Sequence, residues 1–139
     1  MPPRPPLRIL FVCTGNSCRS QMAEGWANHL GEGRVAAFSA GVAPAARVMP
    51  EAVAAMREVG VDISAHYPKH VDAFAGARFD FVITLCDNAA EACPVFPGAG
   101  RRLHWPVADP YGRGMEAYRE AREEIRARLA ALLAAEGIA

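Results

Sequence analysis

The stretch Cys13-Thr14-Gly15-Asn16-Ser17-Cys18-Arg19-Ser20 packs a nucleophile, a turn residue, small polar side chains and a planar cation into consecutive positions. Gly15 lets the backbone curl, and the Arg19 fork matches the faces of a tetrahedral oxyanion. If a helix begins here, its unpartnered N–H groups and its dipole draw negative charge to the same place. Such a field favours the thiolate of Cys13. The chemistry implied is attack by Cys13 on an oxyanion cradled by Thr14, Gly15, Asn16, Ser17, Cys18, Arg19 and Ser20. Asn16 suits holding the loop's shape through its amide, and Ser20 suits a hydrogen bond to the Cys13 sulfur.

The flanking residues supply the elements that this chemistry needs. Leu7 to Val12 is a short, partly β-branched apolar run and reads as a buried strand. Gln21 to Leu30 reads as a helix, with Met22, Trp26 and Leu30 on one face. The octet therefore bridges a strand and a helix N-terminus.

Cys86 and Cys93 form a second pair. Phe79 to Leu85 reads as a central strand, nearly all apolar, so Cys86 falls at a carboxyl end, as Cys13 does. Asp87 to Cys93 reads as a short helix, with Asn88 and Glu91 spaced as a capping box and Pro94 as its stop. Such a helix spans about 10 Å, whereas a disulfide needs Cα atoms within about 7 Å. The two thiols can bond only if the helix unwinds, as a redox switch would; otherwise they are inert packing residues. Their spacing is wide for structural zinc, and in the first loop a metal would compete with the anion.

Asp109, in the loop after a strand at Leu103 to Trp105, can protonate a departing oxygen, and Pro110 restricts where it points. An Asp-Pro pair also serves as a plain turn.

The run from Cys13 to Trp26, CTGNSCRSQMAEGW, resembles the low-molecular-weight tyrosine phosphatase family, and within it the thioredoxin-coupled arsenate reductases. The likeness extends from about Leu7 to the last helix. It implies that Cys13, Arg19, Asp109, Cys86 and Cys93 carry catalysis, with the Cys-x6-Cys pair separating reductases from phosphatases. Arsenate would be reduced to arsenite through Cys13, Cys86 and Cys93 in turn, with thioredoxin as electron donor and a monomer as the working form. The alternative is a low-molecular-weight protein tyrosine phosphatase using Cys13, Arg19 and Asp109. Phosphatases of the family carry aromatic residues after Asp-Pro, and here Gly112 follows Tyr111. A thiol-based sensor that docks a partner is a third, non-enzymatic reading. Some members bind potassium, and Asn16, Glu24 and Ser39 match three of its ligands. Lys69 stands at the fourth, where an ammonium can take the cation's place, so potassium binding stays open and no bound cofactor is expected. His29, His66, His70 and His104 lack ligand-like spacing and read as structural or exposed.

The chain has 139 residues, is 52% hydrophobic, and balances 15 basic against 15 acidic side chains. That is ample for one core and gives no electrostatic case for nucleic acid or an anionic membrane. Residues 1–6 read as a proline-rich flexible tail and residues 7–139 as the domain. No signal peptide or spanning segment is expected, so the protein reads as cytoplasmic. In a reducing compartment, four cysteines suit catalysis better than a static frame. Val35 to Gly41 reads as a strand, Pro50 to Val59 as a helix, and Met115 to Glu136 as a long helix with Arg122 interrupting its apolar stripe. Alternating strands and helices predict an α/β fold, a single-domain parallel four-stranded sheet with helices on both faces.

Overall fold

A computed structural model describes residues 4–93, 96 and 100–138. Met1 to Pro3 and the proposed helix stop at Pro94 lie outside the described residues. Four strands, β1 (Leu7–Cys13), β2 (Val35–Gly41), β3 (Phe81–Thr84) and β4 (Arg101–His104), form a parallel sheet in the order β2-β1-β3-β4. The α-helices are α1 (Arg19–Gly31), α2 (Pro50–Arg57), α3 (Asp87–Ala92) and α4 (Met115–Ala135). A 3-10 turn at Val71–Phe74 precedes β3.

The alternation of β1 splits the core in two. Ile9 and Phe11 face one layer with Met22, Trp26, Tyr118, Ile125 and Leu129, contributed by α1 and α4. Leu10 and Val12 face the other with Val71, Phe79, Val82 and Ala89, beneath α3 and the 3-10 turn. Both helical layers follow from β1 having no exposed face: Ile9 to Val12 are wholly buried. Truncating a side chain such as Leu129 to Ala in this core would cost about 2–5 kcal/mol.

Arg122 has a reason to interrupt the α4 stripe. Its guanidinium donates to Ala55 O at 2.9 Å and to Glu58 Oε1 at 2.7 Å, while Trp26 Nε1 donates to the Arg122 carbonyl. One residue thus ties α4 to α2 and α1. Strand β4 starts two residues earlier than its apolar residues suggest, because Arg101 and Arg102 pair with Phe81 and Val82 at the sheet edge. An exposed edge tolerates charge, and charge discourages further pairing.

After β1 the chain moves to β2 on one side, and later returns to β3 on the other. The carboxyl ends of β1 and β3 therefore flank the point where strand order reverses, the usual crevice for ligands in open sheets. Cys13 ends β1, and Cys86 stands just after β3.

Candidate active site

The loop between β1 and α1 is held from below by buried polar groups. Cys13 Sγ lies 2.8 Å from Ser20 Oγ and accepts from the Asn16 backbone N–H at 3.2 Å. Asn16 adopts a positive φ of 51°, a conformation that asparagine tolerates better than most residues. Its Nδ2 donates to Ser20 Oγ at 2.7 Å, and its Oδ1 accepts from Lys69 N at 2.9 Å. Asn16 and Ser20 are fully buried, so they shape the loop from within.

Gln21 completes this base. Its Nε2 donates to Asn16 O, Asn16 Oδ1 and Tyr67 O at 3.0–3.1 Å, and its Oε1 meets His66 Nδ1 at 3.0 Å. Along the sequence Gln21 reads as an ordinary helix residue and His66 as structural or exposed. The adjacency of Gln21 to Ser20 was the one signal available.

Above the loop is a concavity of about 240 Å³ lined by Cys13, Thr14, Gly15, Ser17, Cys18, Arg19, Asp109 and Tyr111. Arg19 Nη1 donates to Val107 O at 2.8 Å, and Nη2 reaches Asp109 Oδ2 at 3.8 Å. That carbonyl leaves the rest of the guanidinium turned toward Asp109 and the cavity. Asp109 is fixed by a local turn, its Oδ1 accepting from Tyr111 N at 3.0 Å. Tyr111 is largely exposed and is the one aromatic among the described residues at the rim.

Cys18 lines the cavity, but its sulfur is engaged with α4. Its sulfur packs 3.5 Å from Tyr118 Oη, and burial pushes its thiol up. A raised thiol suits a packing role between the loop and α4.

No disulfide links the four cysteines. Cys86 Sγ lies 3.2 Å from Thr14 Oγ1, and Asn88 Nδ2 donates to the same hydroxyl at 3.2 Å. The capping box expected at Asn88 is not the one present. Cys86 itself is the N-cap of α3, its sulfur accepting from Ala89 N at 3.4 Å, while Asn88 is spent on Thr14. The tertiary partner outcompetes the local one. Cys93 is the C-cap of α3 and is buried, and burial pushes its thiol up, opposed by the Arg102 guanidinium.

The residues matching a potassium site are bonded to protein partners. Ser39 Oγ donates to Glu24 Oε1 at 2.7 Å, and Asn16 Oδ1 already accepts from Lys69 N and Gln21 Nε2. Lys69 brings its own ammonium, donating to Tyr67 O at 3.0 Å. Burial pulls the Lys69 ammonium below its usual range, while the Glu24 carboxylate opposes this. Among the described residues, no group of three or more His, Cys, Asp or Glu side chains could hold a metal.

With this geometry in view, residues 8–137 match the family described as low molecular weight phosphotyrosine protein phosphatase. A protein named arsenate reductase from Staphylococcus aureus is 44% identical over 119 residues, 85% of this chain and 89% of its own. A solved structure described as an arsenate reductase in the phosphate binding state superposes with a TM-score of 0.85 at 38% identity, covering 96% of this chain and 99% of that one. Another, described as an arsenate reductase in oxidized state, gives 0.82 at 37% identity, covering 91% and 96%.

Proposed function

The chain belongs to the low molecular weight phosphotyrosine protein phosphatase family, and we propose that it works within that family as an arsenate reductase driven by a relay of three thiols. Arsenate enters the Cys13 loop, where the Arg19 guanidinium and the helix N-terminus neutralise it. Cys13 thiolate attacks arsenic, an As–S bond forms, and an oxygen departs as water with a proton from Asp109. Cys86 thiolate then attacks the Cys13 sulfur. The S–As bond breaks, its electron pair passes to arsenic, and arsenite leaves a Cys13–Cys86 disulfide. Cys93 attacks Cys86, freeing Cys13 as thiolate and placing the disulfide at Cys86–Cys93, where thioredoxin reduces it.

One observation carries this reading: Cys86 meets the rim of the anion loop, 3.2 Å from Thr14 Oγ1, at the sheet edge that also presents Cys13. In a hydrolytic phosphatase, a thiol there would have no task. The protein is proposed to act in the cytoplasm as a monomer without a bound cofactor; no described helix is long and apolar enough to cross a membrane.

The test is arsenate-dependent NADPH consumption with thioredoxin and thioredoxin reductase, run beside hydrolysis of an aryl phosphate. Sustained consumption that vanishes in Cys86→Ser and Cys93→Ser establishes the reductase. Aryl phosphate hydrolysis alone, indifferent to both replacements, makes the protein a phosphatase.

A further inference from the structure

Helix α3 (Asp87–Ala92) is too short to stand by itself in water. Ala89 is its one buried residue among those described, so apolar packing contributes little to keeping it wound. Polar contacts from outside must do so, and β4 supplies them at both ends. Arg102 donates from Nη2 to Ala90 O at 2.7 Å and from Nη1 to Cys93 O at 3.4 Å. These are carbonyls of the last turn and C-cap, where a cation is favoured. At the other end His104 Nε2 meets Asp87 Oδ1 at 3.0 Å, while His104 Nδ1 lies 2.8 Å from Thr84 Oγ1. With Nε2–H donating to Asp87, Nδ1 accepts from the Thr84 hydroxyl. Arg102 and His104 alternate along β4, so they project to the same face of the sheet.

We propose that Arg102 and His104 are positioning residues that latch α3 in its wound form and so make the Cys86–Cys93 disulfide easier to reduce. The proposal rests on the relay described above. In its last step Cys93 thiolate attacks Cys86, the Cys86–Cys93 bond forms, the Cys13–Cys86 bond breaks, and Cys13 leaves with the electron pair. The helix must unwind for this bond to form, because a wound α3 keeps the two Cα atoms about 10 Å apart along its axis. Unwinding takes Ala90 O and Cys93 O away from Arg102, so the guanidinium stabilises only the reduced, helical state. Stabilising the reduced state raises the potential of the pair. Arg102 is the stronger point of the latch, since Asp87 is 90% exposed and its pair with His104 is screened by water.

The experiment equilibrates the full-length protein in mixtures of reduced and oxidised dithiothreitol, with Cys86–Cys93 quantified by alkylation and peptide mass mapping. Arg102→Ala should shift the equilibrium about tenfold toward the disulfide, about 30 mV for a two-electron couple. Arg102→Lys, which keeps the cation but loses the fork, should lie between it and the wild type. Arg101→Ala is the control, because Arg101 lies over the Phe81 ring, 5.7 Å from its centroid, and its side chain makes no hydrogen bond to α3 among the described residues. An Arg102→Ala equilibrium equal to wild type, or an equal shift in Arg101→Ala, overturns the latch while leaving the relay standing. Failure of the wild type to form any Cys86–Cys93 disulfide sinks the relay and the latch together.

Discussion

Ser20 Oγ lies 2.8 Å from Cys13 Sγ and is itself held by Asn16 Nδ2 at 2.7 Å. With its oxygen accepting from Asn16, the Ser20 hydroxyl is free to donate to the sulfur, which makes it a support for the Cys13 thiolate. A hydrogen bond to a charged group contributes about 1.5–3 kcal/mol. Ser20→Ala should therefore slow iodoacetamide alkylation of Cys13 at neutral pH by about tenfold to a hundredfold. An unchanged alkylation rate would remove Ser20 from the mechanism.

The three relay thiols should fail in different ways. Cys13→Ser should lose arsenate reduction and any aryl phosphate hydrolysis. Cys86→Ser should stall with arsenic on Cys13 yet keep the hydrolysis. Cys93→Ser should turn over once and trap a Cys13–Cys86 disulfide, visible by mass spectrometry of peptides. Repeated thioredoxin-driven turnover by the Cys93 variant would contradict the relay.

Gly41 closes β2 directly against the anion loop. A Cβ there would meet Thr14 O at 2.6 Å and Asn16 N at 3.0 Å, both backbone atoms that cannot swing aside. Gly41→Ala should destabilise the protein by about 1–3 kcal/mol, the usual scale of overpacking. Urea denaturation reads the stability, and arsenate turnover should fall more than tenfold because the displaced atoms belong to the loop. A variant with wild-type turnover would show that the loop tolerates the shift.

Glu58 gives the fold an acid-sensitive contact. Hydrogen bonds from Arg119, then Arg122, hold its carboxyl at about 2, down from an ordinary 4.5. A folded-state value lowered in this way stabilises the native state above about 4.5 and loses that contribution as pH falls through about 2. Glu58→Gln should therefore melt below the wild type at neutral pH, and the gap should close on acidification toward pH 2. Both partners of the Arg119 pair are 39% exposed, so added salt should narrow the gap as well. A gap independent of pH would mean that Glu58 acts through packing.

Potassium should not stabilise the protein more than sodium does, since Asn16 Oδ1 already accepts from Lys69 N and Gln21 Nε2, Ser39 donates to Glu24, and Lys69 brings an ammonium to the same region. Paired thermal melts in the two chloride salts read this directly. A clear rise in melting temperature with potassium would overturn it.

Much of this protein was legible along the chain because it is local. The strand–loop–helix that carries Cys13 and Arg19 is a contiguous stretch, and the apolar runs of β1 and β3 announce a sheet covered on both sides. Helix-forbidden disulfide geometry at Cys86 and Cys93 follows from spacing alone. What only the tertiary structure decided are pairings between residues distant in sequence. Asn88 abandons its expected capping box because Thr14, far earlier in the chain, offers its side chain a partner. Gln21 joins the loop to His66, and Arg102 reaches the carbonyls of α3, contacts that no periodicity encodes because each depends on which strands lie side by side. Periodicity reports which face of an element is buried; it does not report what a polar side chain meets there.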